Sequence, residues 1–210
     1  MALRDDLIPE PILLDVPDAA GRIAWTDLFG NDHPVELEIG AGKGTFLLAI
    51  AQQVPEHNFL GIEYARPYAE YAADRLRRHG LSNTHLAHAE ASWWIRCHVP
   101  DASLAALHIY FPDPWPKTRH HKRRLIQLPF LAEAHRVLRP GALLRFVTDH
   151  ADYFAWAEEM LGRQTRLVRV PFESPLPDGG GGVMVGTNFE KKYIAEGRTF
   201  QALAARRPAD

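Results

Sequence analysis

The segment Val35–Ile50, which reads VELEIGAGKGTFLLAI, contains the pattern that decides the fold. In VELEIG, apolar and acidic residues alternate up to Gly40, and this alternation predicts a strand. Glycines follow at Gly40, Gly42 and Gly44, and the apolar run that begins at Thr45 and stops before Pro55 predicts a helix. A strand, a glycine loop and a helix in this order form the first half of a βαβ unit. Its glycines allow a tight turn and let a ligand approach the backbone closely.

The same alternation continues along the chain. Strands are expected at VELEIG (35–40), NFLGIEY (58–64), THLAHAE (84–90), LAALHIYF (104–111), ALLRFVTD (142–149), TRLVRVPF (165–172) and RTFQALAARR (198–207). Helices are expected at 45–54, 67–78, 125–138 and 151–161, with a short candidate at 19–29. We therefore predict an α/β, Rossmann-like, doubly wound fold: a mostly parallel seven-stranded sheet with helices on both faces.

Length and composition favour one domain. In 210 residues we expect an N-terminal extension at 1–34, packed on or near the site, and a domain at 35–210. Cys97 is the only cysteine, so no disulfide forms within the chain, and no motif marks it as a nucleophile. No signal peptide and no apolar run of about 20 residues is evident, so we expect a cytoplasmic protein without membrane contact.

Carboxylates stand at the ends of four expected strands. They are Glu38, Glu63, Glu90 and Asp113. Ligands of doubly wound folds bind beyond the carboxyl ends of the strands, so we expect these acids to line one crevice. Glu38 would repel the pyrophosphate of NAD, and Thr45 stands where a dinucleotide fingerprint has its third glycine, so a dehydrogenase is disfavoured. A cofactor with an amino group and a sulfonium cation suits these acids better.

A rigid loop and a basic block follow the fourth strand. The loop reads FPDPWPK (111–117), and its three prolines lower the entropy cost of presenting Asp113 and Trp115. The block reads KTRHHKRR (117–124) and suits phosphate contacts, with a solvated helix face as the alternative. The residues expected to contact an RNA backbone are Arg119, Lys122, Arg123 and Arg124. Trp115 stacks on an exposed base or anchors the loop on the core.

FPDPWPKTRHHKRRL and GTNFEKKY (186–193) resemble the signatures of the bacterial single-chain tRNA (guanine-N7-)-methyltransferase family. The resemblance spans 35–149 and 187–207 and implies a class I methyltransferase that uses S-adenosylmethionine (SAM). The implied reaction methylates N7 of the tRNA variable-loop guanine at position 46. The implied SAM-binding residues are Glu38, Gly40, Gly42, Gly44, Glu63, Glu90 and Asp113. The implied substrate-binding residues are Lys117, Asp149, Thr187, Asn188, Phe189 and Glu190, and Asp113 is also the implied catalytic carboxylate. Glu90 stands where the family usually has aspartate, and residues 1–34 match little.

Other functions remain open at this stage. The chain could methylate another RNA base, a small molecule or a protein, or it could bind RNA without catalysis. The eleven histidines include no set with metal-ligand geometry, so we expect no metal: His85 and His88 point to opposite faces of a strand, and His120 and His121 lie in a basic block. We expect no obligatory protein partner and a monomer or weak homodimer. Gly179–Gly182 forms a mobile loop or a lid over bound tRNA.

Overall fold

The computed structural model describes residues 6–14, 21–164, 166–176 and 185–209. The strands are β1 (Leu13–Leu14), β2 (Val35–Ile39), β3 (Asn58–Glu63), β4 (Thr84–His88), β5 (Leu104–Tyr110), β6 (Leu138–Thr148), β7 (Val168–Val170) and β8 (Gln201–Arg206). The helices are α1 (Trp25–Phe29), α2 (Thr45–Gln53), α3 (Arg66–Arg78), α4 (Ala91–His98), α5 (Leu128–Val137), α6 (Ala151–Gly162) and α7 (Asn188–Ala195). A 3-10 helix spans Thr118–Arg123.

The eight strands within the described ranges join one sheet in the order β1-β4-β3-β2-β5-β6-β8-β7. The pairs from β1 to β6 are parallel, and β8 is antiparallel to both of its neighbours. The connections diverge between β2 and β5, which are adjacent, and this divergence opens a crevice at the carboxyl edge of the sheet. The doubly wound fold is confirmed. β1 adds an eighth strand to the seven predicted ones, by pairing Leu13 and Leu14 with β4.

Helices cover both faces of the sheet. Buried side chains of α2 and α3 pack on one face, together with the buried residues 176 and 185 and the partly buried residues 172 and 200. Buried side chains of α4, α5 and α6 pack on the other. Because side chains of a strand alternate, Leu37 and Ile39 of β2 join the core under α4–α6. Glu36 and Glu38 consequently face the side of α2.

Several elements differ from the sequence predictions. Helix α4 was not predicted, although Glu90 at its N-cap accepts hydrogen bonds from the amides of Ser92 and Trp93. α7 lies between the last two predicted strands, where no helix is predicted, and β7 has three residues instead of eight. α5 begins at Leu128 instead of the predicted Leu125, and Pro129 occupies the first turn of the observed helix.

The described part of the N-terminal extension lies against α3 and β4. The amide of Ile8 donates to Asp74, and Ile12 is buried in the core. Residues 1–5 and 15–20 of the extension lie outside the described residues, as do Gly179–Gly182. Among the helices that are described, none has the length and apolarity needed to cross a membrane.

Candidate active site

The glycine loop turns sharply at the end of β2. Gly40, Gly42 and Gly44 have φ of 78°, 54° and 66°, a conformation that favours glycine. An added Cβ would meet nothing within 4 Å at Gly40, and at Gly42 only the Gly40 carbonyl at 3.9 Å. At Gly44 it would lie 3.1 Å from the Cβ of Ala72. The loop therefore exposes backbone to the crevice at its first two glycines and packs on α3 at the third.

Glu63 holds this loop in place. Its Oε2 accepts a hydrogen bond of 2.8 Å from the Gly42 amide, and its Oε1 accepts one of 2.8 Å from the Ala65 amide. A carboxylate oxygen has two lone pairs, so each oxygen keeps one for a further donor. Glu63 is thus placed both to fix the glycine loop and to accept hydrogen bonds from a ligand.

Glu38 is a buried carboxylate with an unsatisfied oxygen. The residue is 3% exposed, and its Oε2 has no hydrogen-bond partner. Burial, with a further contribution from the negative charge of Glu63, raises the pKa of Glu38 well above its usual value. A buried acid without a partner is costly unless a donor or a cation satisfies it. The ammonium and sulfonium groups of SAM have the required charge, so the residues present fit this ligand.

Glu90 occupies the third strand end and caps α4. Its Oε1 and Oε2 accept from the amides of Ser92 and Trp93 at 3.0 and 2.7 Å. The next residue, Trp94, is buried in the core, while Trp93 is half-buried and its ring lies 5.2 Å from that of His98. Glu90 follows β4, which pairs with β3, so its position agrees with a place at the crevice rim, and its contact with SAM stays a prediction.

The proline-rich loop after β5 holds two residues in left-handed conformation. Phe111 and Trp115 have φ of 51° and 44°, which non-glycine residues rarely adopt. The Phe111 ring packs against Tyr193 and Phe200 at centroid distances of 5.7 and 5.4 Å. Asp113 lies between these positions and is exposed. Such strain persists where the surroundings enforce it, and it often marks functional sites.

The basic segment divides into an exposed set and one buried member. Lys117, Arg119, Lys122 and Arg123 are exposed, and the Arg123 guanidinium lies 4.9 Å from the centroid of the Trp115 ring. Arg124 is only 2% exposed. It donates to the Pro114 carbonyl at 2.9 Å, pairs with the Asp152 carboxylate, and lies over the rings of Tyr153 and Trp156. The prediction that Arg124 contacts an RNA backbone is therefore wrong for this structure, because its charge points inward and supports the loop.

A second wall of the crevice follows β6 and includes α7. Asp149 comes directly after β6 and pairs with Arg198 at 2.7 Å, and Arg198 lies 4.2 Å from the centroid of the Tyr193 ring. Thr187 caps α7 by accepting from the Glu190 amide at 3.0 Å. The buried Glu190 carboxylate accepts from the amides of residues 185 and 186 at 2.9 and 2.8 Å. The T-x-x-E element is thus a helix cap, related to the capping box. Asn188 and Phe189 begin α7, and their side chains lie outside those described.

The sheet gathers the predicted carboxylates at one edge. Glu38, Glu63 and Glu90 lie at or near the carboxyl ends of β2, β3 and β4, and Asp113 and Asp149 follow β5 and β6. Within the described ranges, no three side chains of histidine, cysteine, aspartate or glutamate form a group suited to a metal ion.

Sequence reasoning missed a polar cluster under this edge. Glu36, His108 and Tyr110 are joined by hydrogen bonds on the α2 side of the sheet. A signal was present, because Glu36 and Glu38 alternate within VELEI, as do His108 and Tyr110 within LAALHIY, so each pair shares a face. Arg198 was also missed, and no pattern around it indicates the ion pair with Asp149.

Comparisons with known proteins agree with this geometry. Residues 32–203 match a family described as "Putative methyltransferase". A tRNA (guanine-N(7)-)-methyltransferase of Streptomyces avermitilis is 41% identical over 87% of this chain and 62% of its own length. Proteins of the same name from Nitrosomonas eutropha and Lactobacillus acidophilus are 35% and 33% identical, over 90% and 94% of this chain and 83% and 90% of their own.

The chain spans 62% and 66% of the relatives from Streptomyces avermitilis and Rhodopirellula baltica, so it is shorter than some of the proteins it matches. Two solved structures share the fold. The 16S rRNA methyltransferase KamB superposes with a TM-score of 0.64 at 15% identity, over 88% of this chain and 93% of KamB. The aminoglycoside resistance methyltransferase NpmB1 superposes with a TM-score of 0.55 at 16% identity, over 87% of this chain and 91% of NpmB1. The glycine loop, the edge carboxylates and these relatives together establish that the chain belongs to the tRNA (guanine-N(7)-)-methyltransferase family.

Proposed function

We propose that the protein transfers the methyl group of SAM to N7 of a guanine in tRNA, at variable-loop position 46, giving N7-methylguanosine and S-adenosylhomocysteine. The observation that carries this proposal is the unsatisfied, buried carboxylate of Glu38 beside an open glycine loop. A strained, acid-bearing loop and an exposed basic segment follow the neighbouring strand. Such an enzyme works where tRNA is found, so we place it in the cytoplasm.

The first part of the crevice holds the methyl donor. SAM, when bound, supplies an electrophilic methyl group on a sulfonium sulfur. Glu38 satisfies a cationic group of the ligand, and Glu63 keeps free lone pairs for ribose hydroxyls. Gly40 and Gly42 leave room for a close approach to the backbone. Glu90, already bonded to the start of α4, lies where it can meet adenine.

Asp113 acts on the acceptor by charge and position. Guanine N7 has a free lone pair, so no proton must leave before it attacks, and orientation of the two reactants supplies much of the acceleration. The methylated base becomes cationic, and a carboxylate fixed beside it stabilises the charge that develops in the transition state. The prolines and left-handed residues of its loop reduce the motion of Asp113. The role we assign to it is electrostatic, without obligatory proton abstraction.

The wall formed by Asp149 and α7 shapes the guanine site. Asp149 carries a carboxylate that can accept from the amino edge of guanine, and its bond to Arg198 orients it. Thr187 Oγ1 and Glu190 Oε2 accept hydrogen bonds from amides at the start of α7. We therefore assign Thr187 and Glu190 the role of holding α7 in place, and we keep substrate contact by Asn188 and Phe189, which begin α7, as a prediction.

The exposed cations hold the polynucleotide. Lys117, Arg119, Lys122 and Arg123 lie directly after the Asp113 loop and can contact phosphates while a base enters the crevice. Phosphate contacts make binding salt-dependent, with a slope of about 0.7–0.9 in log affinity per log salt for each contact.

The test is incubation with methyl-labelled SAM and unmodified tRNA, followed by borohydride and aniline cleavage at N7-methylguanosine. We expect label in tRNA and cleavage at position 46, and neither in a transcript that carries adenine there. Label at another base or in a small molecule would support a methyltransferase with a different acceptor. SAM binding or tRNA binding without any transfer would contradict the proposal and favour an RNA-binding protein.

A further inference from the structure

A chain of hydrogen bonds lies under the crevice and joins two of its strands. His108 of β5 is fully buried; its Nε2 is 2.6 Å from Oε2 of Glu36 on β2, and its Nδ1 is 2.7 Å from Oη of Tyr110. Oε1 of Glu36 is 2.7 Å from Nδ1 of His57, which is partly exposed. The chain therefore runs from the protein surface to the last residue of β5, through side chains alone.

The chemistry of these groups gives the chain one direction. Burial lowers the pKa of His108 against the opposing influence of Glu36, so its ring is neutral at ordinary pH and carries one N–H. Burial opposes ionisation of Glu36, but the hydrogen bonds and electrostatic interactions with His108 and His57 together outweigh it and hold the pKa of Glu36 far below its usual value, so this carboxylate can only accept. Nε2 of His108 must then donate to Glu36, while Nδ1 accepts from the Tyr110 hydroxyl.

The residues of this hydrogen-bond chain lie next to the segments that form the crevice. Tyr110 directly precedes the strained loop with Asp113, and Glu36 lies two residues before Glu38 on the same face of β2. The ring of Phe46, in the first turn of the helix after the glycine loop, packs on both His108 and Tyr110 at centroid distances of 4.9 Å. Three parts of the site thus rest on the same buried groups.

On the basis of the proposed function, we propose that Tyr110 is a positioning residue for methyl transfer. The Tyr110–His108–Glu36 chain fixes the end of β5 against β2 and so sets Asp113 in register with the donor held by Glu38. A displacement of about 1 Å at such a site can lower a rate about 100-fold. Of the carboxylates proposed to bind SAM, Glu38, Glu63 and Glu90 stand at the ends of β2, β3 and β4, and only Asp113 follows β5. We therefore expect loss of the Tyr110 hydroxyl to affect the methyl-transfer step more than SAM binding.

The experiment measures single-turnover methyl transfer to tRNA, SAM affinity and thermal unfolding for four variants. Tyr110→Phe keeps the ring that packs on Phe46 and removes the hydroxyl. His108→Leu breaks both bonds, whereas His108→Gln offers an amide N–H to Glu36 and a carbonyl to Tyr110, as neutral histidine does. His98→Leu is the matched control, because His98 is equally buried and lies at the far end of α4.

We expect Tyr110→Phe and His108→Leu to lower the transfer rate at least tenfold while SAM affinity changes less than threefold. His108→Gln should recover most of the rate. His98→Leu should lower the unfolding temperature and leave the rate within twofold of the unmodified protein. Equal rates for Tyr110→Phe, His108→Leu and the unmodified protein would overturn the positioning role and leave the proposed function standing. Absence of methyl transfer by the unmodified protein itself would refute the proposed function, and the positioning role with it.

Discussion

Replacement of Arg124 by methionine should destabilise the protein without weakening the salt dependence of tRNA binding. Arg124 lies in the basic segment, but its guanidinium is buried and directed at Pro114 and Asp152. Methionine keeps an unbranched apolar side chain between the rings of Tyr153 and Trp156 and removes the charge and the donors. The change therefore separates support of the loop from phosphate binding.

The magnitude follows from the contacts that are lost. A hydrogen bond from a charged donor to the Pro114 carbonyl contributes about 1.5–3 kcal/mol. The Asp152 side chain is 58% exposed, so water screens the Arg124–Asp152 ion pair. This ion pair adds at most about 1 kcal/mol. Loss of the cation over two aromatic rings adds about 0.5–1 kcal/mol. The total is about 3 kcal/mol, which in a domain of this size lowers Tm by about 6–12 °C.

Differential scanning calorimetry and filter binding over a salt series measure the two effects. Arg119→Gln is the matched comparison, because Arg119 belongs to the same segment and is exposed. It should leave Tm unchanged and reduce the slope of log affinity against log salt by about 0.7–0.9. Arg124→Met should lower Tm and leave the slope of log affinity against log salt unchanged. A Tm within 2 °C of the unmodified protein together with a reduced slope for Arg124→Met would refute the assignment of Arg124 to the loop.

Three further predictions concern the crevice and the sheet below it. Because the pKa of Glu38 is raised, the folded protein keeps this proton to higher pH than the unfolded chain, and stability falls as pH rises above about 4.5. Glu38→Gln should thus raise the Tm of the ligand-free protein more at pH 8 than at pH 5 and weaken SAM binding; an equal effect on Tm at both pH values would contradict the raised pKa of Glu38. Gly61→Ala would place a Cβ 2.6 and 2.7 Å from methyl carbons of Leu47 and Leu86, so urea unfolding should show a loss of about 1–3 kcal/mol, and a neutral change would show that the core has spare room. Asp113→Asn, measured at saturating SAM, should lower single-turnover methyl transfer about 10-fold to 100-fold, and near-full turnover would exclude its electrostatic role.

The parts of this fold that sequence predicts well are those set by local pattern. The run VELEIGAGKG predicts a strand and a turn, because alternating apolar and charged residues are typical of a strand and closely spaced glycines allow a tight turn. The rim carboxylates follow from the same pattern, since a parallel sheet brings all its carboxyl ends to one edge. Helix α4 was not predicted, because ASWWIRCH is short and has aromatic and β-branched residues, which are modest helix formers.

Long-range contacts explain the remaining differences. Nothing in KTRHHKRR marks Arg124 as the member that turns inward; its partners Asp152 and Tyr153 lie about thirty residues further along the chain, and only the packing of α6 brings them close. The resemblance implies substrate contacts at Thr187 and Glu190, which stay a prediction, and the structure adds that Glu190 accepts from the amides of residues 185 and 186 just before α7. A motif thus identifies residues that matter, but the packed structure decides which of them face the ligand.

Binding and stability oppose each other at Glu38. Its Oε2 is buried without a hydrogen-bond partner, and the negative charge of Glu63 nearby opposes ionisation of Glu38, so ionising this group costs the folded protein stability. A ligand that brings positive charge removes this cost, and the relief adds to its binding free energy. A neutral or anionic ligand gains no such relief, so the same two carboxylates discriminate between ligands by charge. In the proposed function this charge preference applies to both cationic groups of the donor, the ammonium and the sulfonium, of which methyl transfer removes only the sulfonium.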